Sequence, residues 1–317
     1  MKIRQNVLLK NYSNYKIGGI ADYFLEVSSK TELVDGLKEW QSLSMNFPAD
    51  KKRIFILAGG ANVLIDDNGF NGLVIHNVIK DIKNEENLVT VGSGLLIKDF
   101  LEFCLNNSLT GFEWAGGLPG TIGGAIRGNA GAFGGETRDL IAKVKSLDLI
   151  TLEELERTKE NCNFSYRTSI FKEQKNNEFI LSVVFNLKKG DKDKIKKSIQ
   201  EKIEYRNLKH PMNFPSLGST FKNISFNSLT LENQEKYKDF IKNDPFPVLP
   251  VAKLLHLAGL KGKRVGDVQI SEKHPNFIIN LGNAKSEDVR NVIKMMKTTV
   301  KEKFGINIEE EIVYLIS

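Results

Sequence analysis

The sequence predicts an α+β protein built from three units, and three observations lead to this prediction. Strand-like and helix-like segments follow one another as β-α-β-turn-β over residues 1–75, which is typical of a compact α+β unit. A second set of short apolar segments follows, and the composition becomes lysine-rich at residues 188–191. A chain of 317 residues can bury more than one core. We therefore divide the sequence into residues 1–76, 77–189 and 190–317.

In the first unit, Ser29 and Glu32 mark the start of a helix, because a serine cap followed by an acidic residue is typical of that position. Residues 53–57 predict a short buried strand that runs into a glycine turn at residues 58–62. The apolar residues 72–75 predict the next strand.

In the second unit, residues 97–107 predict a helix whose apolar face carries Cys104, a core residue rather than a nucleophile. Residues 142–149 and 179–187 predict strands. Between them, residues 151–159 predict a short helix.

In the third unit, residues 191–205 predict a lysine-rich helix with isoleucines spaced by four, and we interpret its basic side as a solvated face without function. A helix at residues 251–258, a strand at residues 276–280 and a helix after Ser286 follow. The alternating residues 305–316 predict a terminal strand.

Composition excludes several classes of protein. Hydrophobic residues make up 41% and charged residues 26% of the chain, as in ordinary globular proteins. The net charge of +6 favours anionic partners, but Lys and Arg are not grouped with aromatics as a nucleic-acid groove requires. Two cysteines, Cys104 and Cys162, argue against a disulfide scaffold. Because the sequence shows no signal peptide or membrane span, we expect a soluble, cytoplasmic protein without membrane insertion.

Residues 111–135, called here the glycine stretch, hold ten of the 26 glycines. Apolar residues lie between these glycines, whereas a flexible linker would be rich in serine and charge. The backbone there can approach a ligand closely and turn its N–H groups toward a phosphate. Two interpretations remain open: a loop folded around a ligand, or a glycine-packed turn region without one. The chain has no P-loop sequence and fails the G-x-G-x-x-G spacing, so a dinucleotide would be held by a different scheme.

Few side chains qualify for chemistry. The histidines are scattered without metal-ligand spacing, and the hydrolase elbow G-x-S-x-G is missing from the sequence. Ser219 lies between two small residues that expose its hydroxyl, and Arg167 follows an aromatic residue in a polar turn suited to gripping a carboxylate. Each could also be a plain turn residue. Among residues 309–311, alternation places Glu310 on one face and the other two glutamates on the opposite face, so all three need partners or line a site.

Five segments together resemble the UDP-N-acetylenolpyruvoylglucosamine reductase family, over residues 14–316. They are LAGGANVLIDDNGFNGLVI (57–75), GLPGTIGGAIRGNAGAFGGE (117–136), SYRTSIF (165–171), GSTFKN (218–223) and AKLLHLAGLKGKRVGDVQISEKHPNFIIN (252–280). Such a set in that order is far more specific than any single motif, and the last segment is similar to the shorter class of the family.

The resemblance implies two amino-terminal α+β subdomains that hold FAD, of the type shared with vanillyl-alcohol oxidase. It also implies a third α+β domain that binds a UDP-sugar substrate, with the last strand returning to the flavin site. NADPH is the implied co-substrate, no metal is implied, and a monomer is favoured. The implied cofactor contacts are Gly59, Gly60, Ala61, Asn62, Gly120, Thr121, Gly123, Gly124, Asn129 and Gly131. The implied substrate contacts are Asn223 and Lys253.

The motif match places Arg167, Ser219 and Glu311 at the family's three catalytic positions, where alternation alone left Glu309 equally open. The implied reaction passes a hydride from NADPH through FAD to C3 of an enolpyruvyl ether. Arg167 and a protonated Glu311 would stabilise the resulting negative charge, and Ser219 would donate a proton to C2.

Four features depart from the family pattern: Ala61 replaces a serine, Arg127 an apolar or aromatic residue and Ile224 a proline, and residues 225–244 are longer than usual. These departures put the details of substrate contacts in question. Two alternatives remain: another FAD oxidoreductase of the same fold, or a catalytically inactive UDP-sugar-binding protein.

Overall fold

The computed structural model describes residues 3–173 and 177–317. The α-helices are Lys30–Leu43, Ile97–Asn106, Ile122–Gly128, Ile170–Glu173, Lys192–Lys209, Leu231–Tyr237, Val251–Leu257 and Ser286–Phe304. Three main sheets lie along the chain, one for each predicted unit. Shorter strands are Val63–Ile65, Leu109–Thr110, Gly131–Ala132, Gly135–Glu136, Lys188–Lys189, Ile224–Ser225, Lys242–Asn243, Pro247–Leu249 and Val313–Leu315.

The first sheet has the strand order Arg4–Leu8, Ile20–Val27, Phe70–Asn77, Ile54–Leu57. Its last three strands are parallel, and the first is antiparallel. Helix Lys30–Leu43 covers one face, and its apolar side joins the core formed with the sheet. The predicted start is confirmed, because the Ser29 hydroxyl accepts the Glu32 N–H at 3.2 Å.

The second sheet is antiparallel, with the order Glu154–Thr158, Ile141–Asp148, Glu178–Asn186, Leu88–Gly92, Ile82–Glu85. The helix predicted at residues 151–159 is wrong. This segment is the edge strand Glu154–Thr158, whose residues pair with residues 143–147 and alternate between half-buried and exposed. Pairing with a neighbouring strand outweighs the helix preference of Glu and Leu here.

The third sheet has the order Ser216–Ser219, Phe277–Asn280, Val268–Ile270, Arg264–Val265. Helices Val251–Leu257 and Ser286–Phe304 pack their apolar faces into one core with it. This arrangement presents Ser219 at the end of an edge strand.

Helix Lys192–Lys209 extends beyond the predicted segment 191–205. Asp191 caps it, and Ile199 packs on the core of the second sheet. The lysines of the predicted segment are exposed at positions 192, 194, 196 and 197 and half-buried at 202, whereas Arg206, beyond its predicted end, is only 8% exposed. The unit boundary at residue 190 stays a prediction.

The chain end returns to the first unit. A regular strand forms only at Val313–Leu315, parallel to Val63–Ile65, although residues 305–316 were all predicted as strand. The preceding residues are extended, with Ile308 and Ile312 buried, but make only an isolated bridge between Phe221 and Glu310. The end of the chain therefore lies beside the turn at residues 58–62.

Across residues 3–173 and 177–317, no helix combines the length and apolar character needed to span a membrane. The same residues contain no group of three or more His, Cys, Asp or Glu side chains that could hold a metal ion.

Candidate active site

Three distant segments meet at Arg167, Ser219 and Glu311, called here the reacting cluster. The Arg167 Nε lies 2.9 Å from Glu311 Oε1. The Glu311 N–H donates to the carbonyl oxygen of Thr220, the residue after Ser219, at 2.8 Å. Glu311 and Ser219 therefore lie on neighbouring extended segments, so the structure joins Arg167 to Glu311 directly and places Ser219 one residue from a hydrogen bond to Glu311.

The turn at residues 165–168 aims Arg167 into this cluster. Ser165 and Thr168 exchange backbone hydrogen bonds of 3.2 Å, and Arg167 between them has a left-handed φ of +56°. Its Nη2 donates to the Gly131 carbonyl at 2.8 Å, and Lys172 Nζ donates to the Arg167 carbonyl at 2.9 Å. Arg167 thus connects the glycine stretch to the chain end.

Charges around Arg167 keep it ionised. Burial acts to lower the pKa of Arg167, but the charge of Glu311 leads the opposing contributions, and the pKa is raised. Burial, and then the charge of Lys222, lower the pKa of Lys172. Burial also raises the pKa of Tyr166, whose ring lies 5.1 Å from the Arg167 guanidinium carbon.

Each glutamate of residues 309–311 has a partner, as the sequence predicted. Glu309 pairs with Lys222, and Glu310 pairs with Lys297 at 2.6 Å. Glu309 is 74% exposed at its side chain, whereas Glu311 is 22% exposed and pairs with Arg167. The geometry thus distinguishes Glu311 from Glu309, which alternation left equivalent.

Ser219 is half-buried at the end of its strand, opposite Phe277 in the pairing register. A Cβ on the preceding Gly218 would meet no atom within 4 Å, so open space adjoins Ser219. His210 and His274 pack on the Phe277 ring with ring centres 4.9 and 5.0 Å away. Burial lowers the pKa of both imidazoles to about 4, so they are neutral at pH 7.

The turn at residues 58–62, called here the glycine turn, has the properties of a phosphate cradle. In the described part of the chain, the backbone N–H groups of residues 59–62 have no acceptor. Gly60 has a φ of +60°, and a Cβ on it would lie 2.0 Å from the Tyr12 carbonyl oxygen. A Cβ on Gly59 would lie 3.0 Å from the Gly120 Cα, so this turn touches the glycine stretch. Adjacent free amides of this kind fit the diphosphate of FAD.

A cavity of about 50 Å³ continues from the glycine turn into the space between the first and second sheets. Gly124 and Arg127 face it from helix Ile122–Gly128, and burial lowers the pKa of Arg127. The other lining residues are Ile56, Ala58, Asn77, Gly123, Phe171, Glu178 and Ile180. At this volume the cavity is far smaller than the roughly 300–1,000 Å³ of typical small-molecule sites, so it would take at most part of a cofactor.

Several predicted cofactor residues contact protein in the structure. The Gly123 N–H donates to the Ser93 carbonyl at 2.7 Å, and the Thr121 hydroxyl caps helix Ile122–Gly128. Asn129 is fully buried and donates to the Ser165 carbonyl at 2.9 Å. The glycine stretch is therefore a short helix and a two-stranded ribbon rather than one loop. Its cofactor contacts stay predictions.

Other predicted residues connect the units. Asn62 Nδ2 donates to the Glu311 carbonyl at 3.1 Å, which joins the glycine turn to the reacting cluster. Asn223 accepts the Val251 N–H at 3.2 Å, and the Lys253 ammonium lies 4.1 Å from the Phe240 ring centre. Both predicted substrate contacts therefore already have protein partners.

Sequence reasoning missed Arg206, whose Nε donates to the Gly116 carbonyl at 2.8 Å. A signal was present, since Arg206 follows Ile203 by three residues and so continues the isoleucine stripe of its helix. It also missed the hydrogen bond from the Gly134 N–H to Asp244, 3.0 Å long. No local pattern marks that contact, because it joins residues 110 positions apart.

Comparisons with known proteins identify the family and the fold. A family model described as UDP-N-acetylenolpyruvoylglucosamine reductase, C-terminal domain, matches residues 210–315, and a model for an FAD binding domain matches residues 38–154. The predicted α+β class with an FAD-binding fold is confirmed.

Similar proteins match over the whole chain. The UDP-N-acetylenolpyruvoylglucosamine reductase of Clostridium novyi (strain NT) is 35% identical over 316 residues, covering 98% of this chain and 91% of that protein. The protein of that name from Fusobacterium nucleatum is 36% identical over 318 residues, covering 99% of each. The crystal structure of the Thermus caldophilus reductase has a TM-score of 0.76 at 26% identity and covers 100% of both chains.

Proposed function

The chain belongs to the UDP-N-acetylenolpyruvoylglucosamine reductase family, and on this premise we propose that it reduces UDP-N-acetylglucosamine enolpyruvate to UDP-N-acetylmuramate with electrons from NADPH. This reaction is a step of peptidoglycan synthesis. The observation that carries the proposal is the convergence of Arg167, Ser219 and Glu311 beside the glycine turn. A protein that only binds a UDP-sugar has no need of this convergence.

The cofactor binds through backbone rather than side chains in this proposal. Bound FAD supplies the hydride transfer that connects NADPH to the enolpyruvyl group. The free N–H groups of residues 59–62 would hold its diphosphate, with Gly120 packed closely against Gly59. The hydrogen bond from Asn62 to the Glu311 carbonyl ties this binding site to the reacting cluster.

Arg167 binds the carboxylate of the enolpyruvyl group and stabilises the negative charge that develops at C2. A planar guanidinium matches a carboxylate in two parallel hydrogen bonds. The Gly131 carbonyl and the Glu311 carboxylate fix its orientation before substrate arrives, so little reorganisation is needed. Donation of a hydrogen bond to the substrate by a protonated Glu311 stays a prediction.

Ser219 donates the proton that completes the reaction at C2. A serine hydroxyl is a weak acid, but a carbanionic centre is a far stronger base, so the transfer is downhill. Its place at a strand end beside the open space of Gly218 lets a substrate reach it. Phe277, packed by two neutral imidazoles, forms the wall behind it.

The UDP part of the substrate binds on the side of Asn223 and Lys253 in this proposal. The net charge of +6 favours a diphosphate. Lys253 would have to leave the Phe240 ring to reach it, since its ammonium contacts that ring in the structure.

The test is NADPH oxidation by the purified protein after incubation with FAD. We expect a yellow protein whose flavin colour bleaches with NADPH and returns when UDP-N-acetylglucosamine enolpyruvate is added. UDP-N-acetylglucosamine, which lacks the enolpyruvyl group, is the matched control and should not restore the colour. A colourless protein that takes up no FAD would refute the proposal, and a yellow protein indifferent to the enolpyruvyl substrate would indicate a different FAD oxidoreductase.

A further inference from the structure

Arg206 is a buried cation next to the reacting cluster that has no acid to balance it. It projects from the last turn of helix Lys192–Lys209, and only 8% of it is exposed. Its guanidinium carbon lies 5.3 Å from the centre of the Phe133 ring. Within residues 3–173 and 177–317, its Nη2 has no hydrogen-bond partner and no Asp or Glu forms an ion pair with it.

Burying the charge of Arg206 costs the fold free energy. Removing a guanidinium from water costs free energy, and the one hydrogen bond that Arg206 makes to a described residue, the Gly116 carbonyl, offsets this cost only in part. Burial, and then the nearby charge of Arg167, lower the pKa of Arg206 to about 10, yet it remains charged at pH 7. Replacing a buried, unpaired charge by an apolar side chain of similar length is often neutral or stabilising, so the fold does not account for a guanidinium at this position.

Arg206 and Arg167 reach the same short segment of the glycine stretch. Arg167 donates to the Gly131 carbonyl, and Arg206 packs on Phe133, two residues further along. Arg167 Nη1 also has no hydrogen-bond partner among the described residues, and a Cβ on Gly131 would lie 3.4 Å from it. Each of the two guanidiniums therefore has a buried N–H group without a hydrogen-bond partner among the described residues.

The acids near this pair do not neutralise it. Glu311 pairs with Arg167, and Glu136 pairs with Arg138 at 2.7 Å. Among the described residues no acid pairs with Arg206, and the Lys202 ammonium, 5.5 Å from the centre of the same Phe133 ring, adds a further positive charge.

We propose that Arg206 and Arg167 together bind a delocalised organic anion at residues 131–133. This inference rests on the proposed function, in which two such anions occur: the carboxylate of the enolpyruvyl substrate and the flavin once it is reduced. Both spread one negative charge over neighbouring acceptor atoms, which suits a planar guanidinium. Arg206 is thus an anion-binding residue in this account, not a proton donor.

The test uses Arg206→Met, which keeps the length and removes the charge, and Arg206→Lys, which keeps the charge and loses the planar fork. Two quantities are measured: the midpoint potential of the bound flavin without substrate, and the Kd of UDP-N-acetylglucosamine enolpyruvate from the change in the oxidised flavin spectrum. For Arg206→Met we expect either a tenfold rise in the Kd of UDP-N-acetylglucosamine enolpyruvate or a more negative midpoint potential of the bound flavin. A tenfold loss of preference for the anionic reduced flavin is a shift of about 30 mV to more negative potential.

The two measurements distinguish the two anions. A more negative potential with an unchanged Kd identifies the reduced flavin, and a weaker Kd with an unchanged potential identifies the substrate carboxylate. Wild-type values of both quantities in Arg206→Met overturn the inference while leaving the proposed function intact. We expect Arg206→Lys to lie between the wild type and Arg206→Met in the affected quantity.

The Tm of the cofactor-free protein tests whether the unpaired charge of Arg206 stabilises the fold, and this test does not depend on the proposed function. Because Arg206 has no acid partner, Arg206→Met should keep or raise the Tm. Arg157→Met is the control, since Arg157 forms two hydrogen bonds of 2.6 and 2.7 Å with the buried Glu178 and its loss should lower the Tm. If the wild type binds neither FAD nor the substrate, an Arg206→Met protein as destabilised as Arg157→Met overturns the inference.

Discussion

The binding groups of the glycine turn and of the reacting cluster are held in position by opposite means. Residues 59–62 present backbone N–H groups, and their geometry comes from glycine conformation and close contact with Tyr12 and Gly120. The reacting cluster presents side chains from three segments far apart in sequence, held by the Arg167–Glu311 pair and the hydrogen bond between Glu311 and Thr220. One site depends on what side chains are absent, and the other on which side chains are present.

This difference predicts two classes of variant. Adding atoms to the glycine turn should weaken FAD binding, while the enzyme molecules that still hold FAD should react at the wild-type rate. Removing atoms from the reacting cluster should spare FAD binding and slow the substrate step. A glycine-turn variant that slows the substrate step without weakening FAD binding would contradict this comparison. So would a variant of the reacting cluster that loses FAD.

The largest effect is expected from Ser219→Ala. Loss of the proton donor should lower kcat by about 10²–10⁴-fold with FAD content unchanged. Steady-state NADPH oxidation measures kcat, and the absorbance ratio of flavin to protein measures FAD content. Ser216→Ala, in the same strand, is the control and should stay near wild type. A kcat within threefold of wild type for Ser219→Ala would leave the serine without the proposed role.

Arg167→Lys should have the next largest effect. The charge is kept, but the guanidinium fork that meets a carboxylate is lost, so kcat/KM for the enolpyruvyl substrate should fall by about 10–100-fold. Arg264→Lys, at an exposed ion pair with Asp267, is the control. Equal kcat/KM values for the two lysine variants would mean that Arg167 needs only its charge.

Gly60→Ala tests the other side of the comparison. The new Cβ would lie 2.0 Å from the Tyr12 carbonyl oxygen at a φ of +60°, so the turn must shift and its N–H groups with it. We expect the Kd of FAD to rise by about tenfold, the effect of about 1.4 kcal/mol. Gly259→Ala is the matched control for Gly60→Ala, because Gly259 also has a positive φ, +73°, but no atom lies within 4 Å of the new Cβ. FAD titration of both should separate them; identical Kd values would remove the glycine turn from the cofactor site.

The smallest effect concerns acid stability near Ser219. His210 and His274 have pKa values of about 4 in the folded protein, below the ordinary value of 6.5. Between these values the unfolded chain binds more protons, so stability falls as the pH falls from about 6.5 to about 4. His274→Gln should reduce this loss by about 1 kcal/mol, a modest figure because the ring is partly exposed. Urea unfolding at pH 7 and pH 5 measures the loss of unfolding free energy in the wild type and in His274→Gln. The same loss in both proteins would contradict a neutral His274 imidazole in the folded state.

The glycine turn was largely predictable from the sequence, because glycine conformation is a local property. The same holds for the cap at Ser29. The alternation predicted at residues 309–311 was wrong, because no regular strand forms there and Glu311 is as buried as Glu310. The local sequence pattern gave the wrong prediction, a helix, at residues 154–158, because pairing with a neighbouring strand determines the structure there.

The reacting cluster was predictable only through family resemblance. Nothing near Arg167 in sequence indicates Glu311, since the two are brought together by the return of the chain end to Val63–Ile65. Arg206 was missed for a related reason. A basic residue on a lysine-rich helix suggests solvent, and only the packing of that helix under the glycine stretch buries it.

The separated half-reactions of Ser219→Ala test the central claim most directly. The bound flavin is first reduced with NADPH and then mixed with UDP-N-acetylglucosamine enolpyruvate, and its absorbance is followed in each step. We expect reduction at the wild-type rate and reoxidation slowed by about 10²–10⁴-fold. Reoxidation at the wild-type rate, or equal slowing of both steps, would contradict the assignment of Ser219 to the substrate step.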